Sequence, residues 1–476
     1  MVTDAAVYVV NSGDSIQGAV DRANAGDTII VNSGTYYEAV ALNKPDLILH
    51  GNDSGDGYPT IDSGESSGIT IEDDGCVVEN FHITKSNYGI FVNSDNNIIR
   101  NNDASLNENG IFMNNSKNNM VVRNTINSNG MFGIILQFSN NNTILGNIAT
   151  QNGGDGIVVH DSDYNTFVGN NLSLNGDDGI DLVSSDYNVL ADNIAQSNSW
   201  FGVNLEKCNY DQFVNNSIVS NHDYGMYIYY STNNILKNNN VSSNGYYGFR
   251  LQSSDYNEFI NNTVCSNKDT GILIRDSNYN VFEENIVNSN AENAFEMAGK
   301  SMHNLFANNT AISNEMYGIS IEYSHDNTFS GNIVYGNLHG DFYGDSYPNI
   351  WSTDSSGEIY GNLFQKYMAE NSSGNFEKTE LYYKVNGGEW IRYNKSIESE
   401  FTSPPVSFQD CYFYTIEADL SNSDSMSSKN AVLSSEDHIS NTSAINDIDE
   451  NTMAEFGGLT LILSVMAAFL LKRRSC

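Results

Sequence analysis

The sequence predicts an all-β protein built as a right-handed parallel β-helix, a solenoid of coils about 23 residues long. A glycine that opens an apolar triplet recurs every 23 residues from Gly133 to Gly271, and a one-residue insertion precedes Gly318. Asparagines recur at fixed distances after each glycine, and apolar residues alternate with polar ones between them. A fixed period in this range is typical of solenoids. We expect a right-handed coil because parallel crossover connections strongly prefer that hand.

The asparagine columns predict which residues face inward. Asparagine stands nine, fourteen and nineteen residues after most of the glycines, and Asp211 is an exception in the first column. Identical side chains stacked in successive coils can form hydrogen-bonded ladders, and asparagine tolerates the left-handed backbone of a tight corner. Three short strands per coil should therefore alternate with asparagine corners. The column expected to be most regular is Asn147, Asn170, Asn193, Asn216, Asn239, Asn262, Asn285 and Asn332.

The two ends of the repeat differ from its middle. Residues 14–25 form an amphipathic pattern with Ile16, Ala19 and Val20 on one face and Asp14 as the expected N-cap, which predicts a helix that caps the first coil. After the repeat, "ELYYKVNGGEWIRYN" predicts a hairpin within a small β module. We assign the cap and first strands to 1–60, the β-helix to 61–345, the C-terminal cap and β module to 346–420, a polar linker to 421–453 and a membrane anchor to 454–476.

Composition excludes several partners and cofactors. The chain carries 21 Lys and Arg against 59 Asp and Glu, a net charge of -38, so binding to nucleic acid is not expected. The five cysteines show no paired spacing, and this argues against a disulfide framework or a thiolate metal site. We expect no cofactor and leave binding of a calcium ion open, although the acidic turn at 52–57 lacks the spacing of a calcium-binding loop.

The last residues predict a membrane anchor. Phe456 to Leu471 are uncharged and mostly apolar, and Lys472, Arg473 and Arg474 follow. Such a span is short for a transmembrane helix, which needs about 20 residues, but the trailing cations would hold its end in the cytoplasm. The N-terminus has no signal peptide as written, and we expect that one is missing from the start. The solenoid should then lie outside the cell.

The chain resembles a known family. "DSIQGAVDRANAGDTIIVNSGTYYEAVAL", followed by coils of the form G-I-x-V-x-x-S-x-x-N-x-I-x-x-N, is similar to the NosD-like right-handed β-helix proteins of the carbohydrate-binding and sugar-hydrolase repeat group. The resemblance covers roughly residues 8–340. It implies export and, through NosD itself, copper delivery, although no His or Met cluster supports copper. The tail "EFGG", apolar span and "KRR" resembles archaeal C-terminal surface-sorting signals.

One strand face concentrates chemistry-bearing residues. Positions two and four after the glycines should point outward, with neighbouring rows about 4.8 Å apart. If the protein is an enzyme, we expect its catalytic groups among Asp181, Glu206, His160 and Arg250. Asn204, Tyr227, Tyr229 and Arg275 are the expected ligand-binding residues of the same face. The alternative is an ordinary polar strand face, in which opposite charges support the sheet.

A column of tyrosines eight residues after the glycines is a second candidate. These rings should point outward and could stack on sugar rings, or they could stack on one another and only stabilise the coils. Asn233 interrupts the column, which comprises Tyr164, Tyr187, Tyr210, Tyr256 and Tyr279.

Three functions remain open from the sequence. The first is a cell-surface protein that binds extracellular polysaccharide or serves as an adhesive scaffold for other surface proteins. The second is a polysaccharide-active enzyme, namely a hydrolase, a lyase or a uronate epimerase, and the third is a NosD-like factor for maturation of a metal enzyme. We favour binding or scaffolding over catalysis because a fold does not determine function.

Overall fold

The computed structural model describes residues 5–344 and the backbone of four later strands, at 350–351, 363–365, 381–383 and 391–392. The chain divides into the units Met1–Tyr412 and Phe413–Cys476, and all described residues belong to the first. The expected linker at 421–453 and anchor at 454–476 therefore lie outside the described residues, as does most of the expected β module. Within the described part of the chain, no helix is long and apolar enough to cross a membrane.

Three parallel sheets form the walls of the solenoid, which confirms the predicted β-helix. The strands of a coil follow the chain order C, A, B, and in the coils between Thr84 and Ile194 the third position forms only an isolated bridge. Sheet A contains Val7–Val10, Thr28–Asn32, Ile48–Asn52, Val77–Glu79, Ile98–Arg100, Met120–Val122, Thr143–Leu145, Thr166–Val168, Val189–Ala191, Gln212–Val214, Ile235–Lys237, Glu258–Ile260, Val281–Glu283, Leu305–Ala307, Thr328–Ser330 and Ile350–Trp351.

The other two sheets complete each coil. Sheet C contains Val40–Leu42, Ile69–Ile71, Tyr88–Val92, Asn109–Asn114, Ile134–Gln137, Ile157–His160, Ile180–Val183, Val203–Glu206, Met226–Tyr229, Phe249–Gln252, Ile272–Arg275, Phe295–Ala298, Tyr317–Ile321 and Gly340–Gly344. Sheet B contains Thr35–Tyr36, Thr60–Asp62 and His82–Thr84, and after isolated bridges Ile194–Gln196, Ser217–Val219, Asn240–Ser242, Thr263–Cys265, Ile286–Asn288, Thr310–Ile312, Ile333–Tyr335, Leu363–Gln365, Leu381–Tyr383 and Ile391–Arg392. The last two strands of sheet B pair antiparallel.

Asparagine ladders line the interior at the corners, as the sequence predicts. The backbone N–H of Asn147 donates to Oδ1 of Asn170 at 2.9 Å, and the Asn147 amide donates to the same oxygen at 3.1 Å. The amide also donates to the carbonyl of Val121 at 2.8 Å, so each amide links three coils. All members of this column from Asn147 to Asn332 are buried. Their hydrogen bonds satisfy the corner amides and carbonyls that the strands leave free.

Apolar side chains fill the space between the ladders. Phe259, Phe282, Phe306 and Phe329 stack in successive coils with centroids 4.8 Å apart. The glycine that opens each sheet C strand is closely enclosed: a Cβ on Gly202 would come within 2.2 Å of Cγ2 of Ile218 in the same coil and within 2.8 Å of the carbonyl oxygen of Gly225 in the next. Glycine recurs there because there is no room for a side chain.

The coil length changes by one residue without a break in the ladder. The side-chain amide of Asn280 donates a hydrogen bond to Oδ1 of Asn304, which is 24 positions later in the chain. The preceding step of the ladder, from Asn257 to Asn280, spans 23 positions. The extra residue lies at Gly299–Lys300, between the sheet C strand and the next corner, and Gly299 has a φ of +68°. The insertion inferred from the sequence before Gly318 is confirmed.

A short helix covers the first coil, also as predicted. The helix Ile16–Arg22 buries Ile16, Ala19 and Val20 against the core. Its N-cap is Ser15, whose Oγ accepts from the N–H of Gly18 at 3.0 Å, so the prediction of Asp14 was wrong. Glu38 explains the difference, because its carboxylate accepts from the N–H groups of Ile16 and Gln17 and from the Ser15 hydroxyl.

Candidate functional site

The predicted face of sheet C forms two aligned columns. In the first column, Val158, Asp181, Asn204, Tyr227, Arg250 and Leu273 pair in register. In the second, His160, Val183, Glu206, Tyr229, Gln252 and Arg275 do the same. Val158 and Leu273 are buried and most of the others are half-buried, with Arg275 exposed. The face is therefore partly covered, and the cover comes from the corner that precedes each sheet C strand.

Asp181 organises one end of this face. Its Oδ2 lies 3.3 Å from Nε2 of His160, and its Oδ1 accepts from the Asn204 amide at 2.8 Å. The hydrogen bond to Asp181 raises the pKa of His160 above its ordinary value. Glu206 belongs to the other column and pairs with Lys207 at 2.6 Å. The expected group therefore separates: His160, Asp181 and Asn204 lie together, whereas Glu206 has a different partner.

Three further carboxylates lie beside Asp181, on the covering corner. Asp155 and Asp178 are 6% and 5% exposed, and oxygens of Asp155, Asp177 and Asp178 all lie within 4.8 Å of one another. Oδ1 of Asp155 accepts from the N–H of Asp178 at 2.7 Å, and Oδ1 of Asp178 accepts from the N–H of Phe201 at 2.7 Å. Burial is the main reason that the pKa of Asp155 is raised to about 7 and that of Asp178 to about 9, and repulsion from neighbouring aspartates, including Asp177 and Asp181, adds to both.

Aromatic residues continue the same corner in the next three coils. The Phe201 ring stacks on the rings of Trp200 and Tyr224, with centroid distances of 5.3 Å and 4.9 Å. Trp200 and Tyr246 are 53% and 51% exposed, so their rings are accessible. We call the whole arrangement the aromatic–acidic strip; it consists of Asp155, His160, Asp177, Asp178, Asp181, Trp200, Phe201, Asn204, Tyr224, Tyr227, Tyr246, Tyr247 and Arg250.

Arg250 is held inside this aromatic group. Its guanidinium carbon lies 5.3 Å from the ring centroid of Tyr224, 5.1 Å from that of Tyr227 and 6.0 Å from that of Tyr247. Nη1 donates to the Tyr224 hydroxyl at 2.7 Å and Nη2 to Oε1 of Gln252 at 2.9 Å. These contacts engage both terminal nitrogens. Arg275, by contrast, makes one loose contact of 3.8 Å with Asp276 and is exposed.

The tyrosine column lies at the opposite end of the sheet C strands. Its rings point outward and are 43–54% exposed. They also stack on one another: Tyr164, Tyr187 and Tyr210 have centroids 4.9 Å apart and planes 4° from parallel. The ring centroids of Tyr256 and Tyr279 are 5.0 Å apart, and the His303 ring stacks on Tyr279 with centroids 4.9 Å apart. The faces inside each stack are therefore occupied, while the edges and the terminal faces are accessible.

The covering corner, with Asp177, Asp178 and the aromatic members, is not among the sites that the sequence predicts. The available signal was the pair of positions just before each glycine, which change from Asp177 and Asp178 to Trp200 and Phe201 within one coil. A column whose residue type changes from acidic to aromatic along the solenoid does not serve one repeated structural purpose.

Two family descriptions match the chain. "Periplasmic copper-binding protein (NosD)" matches residues 20–182, and "Right handed beta helix region" matches residues 201–364. No curated protein matches the chain.

Solved structures of three other proteins have a similar fold. The A-module of mannuronan C-5 epimerase AlgE6 from Azotobacter vinelandii is 17% identical over 71% of this chain and 96% of its own, with a TM-score of 0.49. The periplasmic alginate epimerase AlgG is 15% identical over 72% of this chain and 81% of its own, with a TM-score of 0.46. The Dettilon tailspike protein is 13% identical over 79% of this chain and 76% of its own, with a TM-score of 0.45.

The described residues do not fit a copper site. Copper prefers sulfur or imidazole ligands. Among the described residues, the only group of at least three His, Cys, Asp or Glu side chains close enough to share an ion is Asp155, Asp177 and Asp178, which offers carboxylate oxygens alone. The described cysteines, Cys76, Cys208 and Cys265, are buried. Oxygen donors suit a hard cation such as calcium, the ion that the sequence left open.

Proposed function

From the premise that this chain is a NosD-like right-handed parallel β-helix repeat protein, we propose that it binds extracellular polysaccharide along the aromatic–acidic strip. The observation that carries the proposal is the exposed ring of Trp200 one coil after Asp177, followed by the exposed ring of Tyr246 two coils further along the same corner. Aromatic faces pack against the C–H face of a sugar, and carboxylates accept hydrogen bonds from its hydroxyl groups.

The charge of the strip favours a neutral glycan. Four carboxylates lie at one end, and the guanidinium of Arg250 is covered by tyrosine rings rather than offered to a ligand. A uronate would meet repulsion from the aspartates without an accessible cation in the strip to offset it. This argues against the pairing of Arg250 with a uronate, which a lyase or an epimerase would need.

The test is retention of the full chain in gels that contain neutral xylan or β-glucan, with alginate and polygalacturonate as acidic probes. We expect neutral polymers to retain the protein and Trp200→Ala to lower the association constant about fivefold, since one stacking contact is worth about 1 kcal/mol. Tyr37→Ala is the control because Tyr37 is 80% exposed and lies outside the strip. Unchanged retention of Trp200→Ala would show that the strip is not the site.

Hydrolysis of the bound glycan is the second candidate. It is favoured by the contrast between Asp178, whose pKa is raised to about 9, and Asp181, which pairs with His160. A glycosidase needs one protonated and one ionised carboxyl group beside the scissile bond. If the strip is catalytic, Asp178→Asn and Asp181→Asn should each abolish release of reducing ends while glycan retention persists. Binding without release of reducing ends in the wild type would reject the hydrolase.

We also propose that the solenoid is displayed outside the cell and tethered by residues 454–476. The apolar span from Phe456 to Leu471 and its trailing cations support this. Deletion of 454–476 should release the protein from the membrane fraction. If the truncated chain stays in that fraction, another anchor holds it.

If the wild type binds no glycan, a structural rod that contacts other surface proteins becomes the better explanation.

A further inference from the structure

The tyrosine column is interrupted at one position whose backbone is the same as its neighbours'. Tyr210, Asn233 and Tyr256 have φ values of 62°, 60° and 59°. The corner therefore continues unchanged through the interruption and only the ring is missing. In the described structure, neither Tyr210 nor Tyr256 contacts another ring on the side that faces Asn233. We call the space between these two rings, above Asn233, the Asn233 slot.

The slot has the width of one ring. Two strand spacings separate Tyr210 from Tyr256, which is roughly 9.6 Å. A ring inserted midway would lie about as far from each tyrosine as Tyr187 lies from Tyr210, a distance of 4.9 Å. The inserted ring would therefore contact an aromatic face on each side. Each wall is also supported from behind, Tyr210 by Tyr187 and Tyr256 by Tyr279.

The hydrogen-bonding pattern of the corner is broken at the same place. One residue before each tyrosine position, the backbone N–H of Asp186, Asn209 and Asn278 donates to a side-chain oxygen one coil earlier. The same N–H of Asp255 has no such acceptor in the described structure because Thr232 stands there, and its hydroxyl donates to Asn209. The slot thus adjoins an N–H donor without a partner.

The remaining groups at the slot are polar. The amide of Asn233 donates to Oγ1 of Thr232 at 3.0 Å, so its carbonyl oxygen is left as an acceptor beside the ring walls. Asp186 and Asp255 lie one residue before Tyr187 and Tyr256, and the chain as a whole is strongly acidic. This environment disfavours an anionic ring and suits a neutral one that carries hydroxyl groups.

We propose that the Asn233 slot binds a single neutral pyranose ring between Tyr210 and Tyr256. A ring packed on both sides must present C–H groups on both faces, so its substituents must all be equatorial; an axial hydroxyl would separate it from one wall. The ligand class is therefore a glucose- or xylose-type glycan. This deepens the proposed recognition of polysaccharide and places a second contact at the other end of the sheet C strands.

The experiment measures calorimetric affinity of the full chain for cellohexaose, whose rings have only equatorial substituents, and for β-1,4-mannohexaose, which adds one axial hydroxyl per ring. We expect cellohexaose to bind at least fivefold more tightly. Asn233→Tyr should fill the slot and reduce cellohexaose affinity at least tenfold. The melting temperature should stay unchanged or rise, because the new ring completes the stack on a backbone that already accepts tyrosine.

Matched variants separate loss of the slot from other effects. Asn238→Tyr adds an exposed tyrosine at a different corner of the same coil, at a φ of 56°, and should leave affinity within twofold. Tyr210→Ala removes one wall without adding bulk and should weaken binding, whereas Tyr164→Ala, at the far end of that stack, should not. If Asn233→Tyr does not fold, weaker binding by Tyr210→Ala together with unchanged binding by Tyr164→Ala still supports the proposal.

Three results would overturn the proposal that the slot binds a sugar ring. They are full affinity of Asn233→Tyr for cellohexaose, equal affinity of the wild type for the two hexasaccharides, or no binding of either hexasaccharide by the wild type at millimolar concentration. The strip is assessed separately with Trp200→Ala. If that variant loses binding and Asn233→Tyr does not, the strip stands and the slot is rejected. The opposite pair of results would keep the slot and reject the strip.

Discussion

Asp211 occupies an asparagine position in an interior ladder and accepts a hydrogen bond from the backbone N–H of Asn188 at 2.6 Å through Oδ1. Its other oxygen, Oδ2, is buried and has no hydrogen-bond partner among the described residues. In the next coil, the equivalent amide of Asn234 donates to the carbonyl of Cys208 at 3.0 Å. A carboxylate cannot make that donation unless it is protonated, and burial raises the pKa of Asp211 well above its ordinary value.

Replacement of Asp211 by asparagine should therefore stabilise the solenoid. The new amide can donate where Oδ2 now has no partner, and no buried acid remains to be neutralised. We expect a gain of about 1–3 kcal/mol at pH 7, measured by urea unfolding. The gain should grow with pH, because the native state holds a proton that the unfolded state has released above about pH 4. Asp192→Asn, at a corner with a φ of 56°, is the control and should change little. A less stable Asp211→Asn would contradict this account.

The buried pair Asp155 and Asp178 should make the protein less stable as pH rises. Their native pKa values are about 7 and about 9, above the ordinary value of 3.8, so the native state binds more protons than the unfolded state from about pH 4 upward. Each carboxyl that is protonated only in the native state contributes a slope of about 1.4 kcal/mol per pH unit. Urea unfolding at pH 5, 7 and 8.5 should show a shallower decline for Asp178→Asn than for the wild type. Equal slopes would mean that Asp178 is ionised in the folded protein.

Arg250→Ala should destabilise the protein, because the guanidinium packs on three tyrosine rings and donates to Tyr224 and Gln252. A desolvated cation–π contact is worth up to about 2 kcal/mol, and we expect a total loss of about 2–3 kcal/mol in thermal or urea unfolding. Arg275→Ala is the control. Its contact with Asp276 is exposed and 3.8 Å long, so its loss should cost less than about 0.5 kcal/mol. Equal effects of the two substitutions would argue against an anchored Arg250.

Gly202→Ala should cost about 2–3 kcal/mol, since the new methyl would lie 2.2 Å from Ile218 and 2.8 Å from the carbonyl of Gly225. Gly169→Asn provides the contrast. A Cβ there meets no atom within 4 Å, and the equivalent corner in the next two coils accepts Asp192 and Asn215 at φ values of 56° and 57°. Its melting temperature should stay within a few degrees of the wild type. If both substitutions were tolerated, the packing of the glycine column would be looser than described.

The sequence revealed the fold because ladder positions require the same residue in every coil. A column such as Asn147 to Asn332 repeats its side chain, and repetition can be detected without a structure. The aromatic–acidic strip could not be found in this way, since its residue types change along the solenoid and its members meet only when the corner folds over sheet C. The N-cap shows the same limit: Asp14 and Ser15 are both suitable residue types, and the choice depends on Glu38, which is more than 20 positions away.

The extra residue at Gly299–Lys300 shows how this architecture can change over evolution. The ladder bonds from Ser277 to Ser301 and from Asn280 to Asn304 persist although the coil is one residue longer. Corners thus accept small insertions that strands would not, because a one-residue shift in a strand would reverse which side chains face inward. Duplication of a whole coil would, in contrast, lengthen the protein and preserve every alignment. Such a scaffold can extend its reach in fixed steps while its corners diversify independently, which makes those corners the natural positions for grafting peptide epitopes.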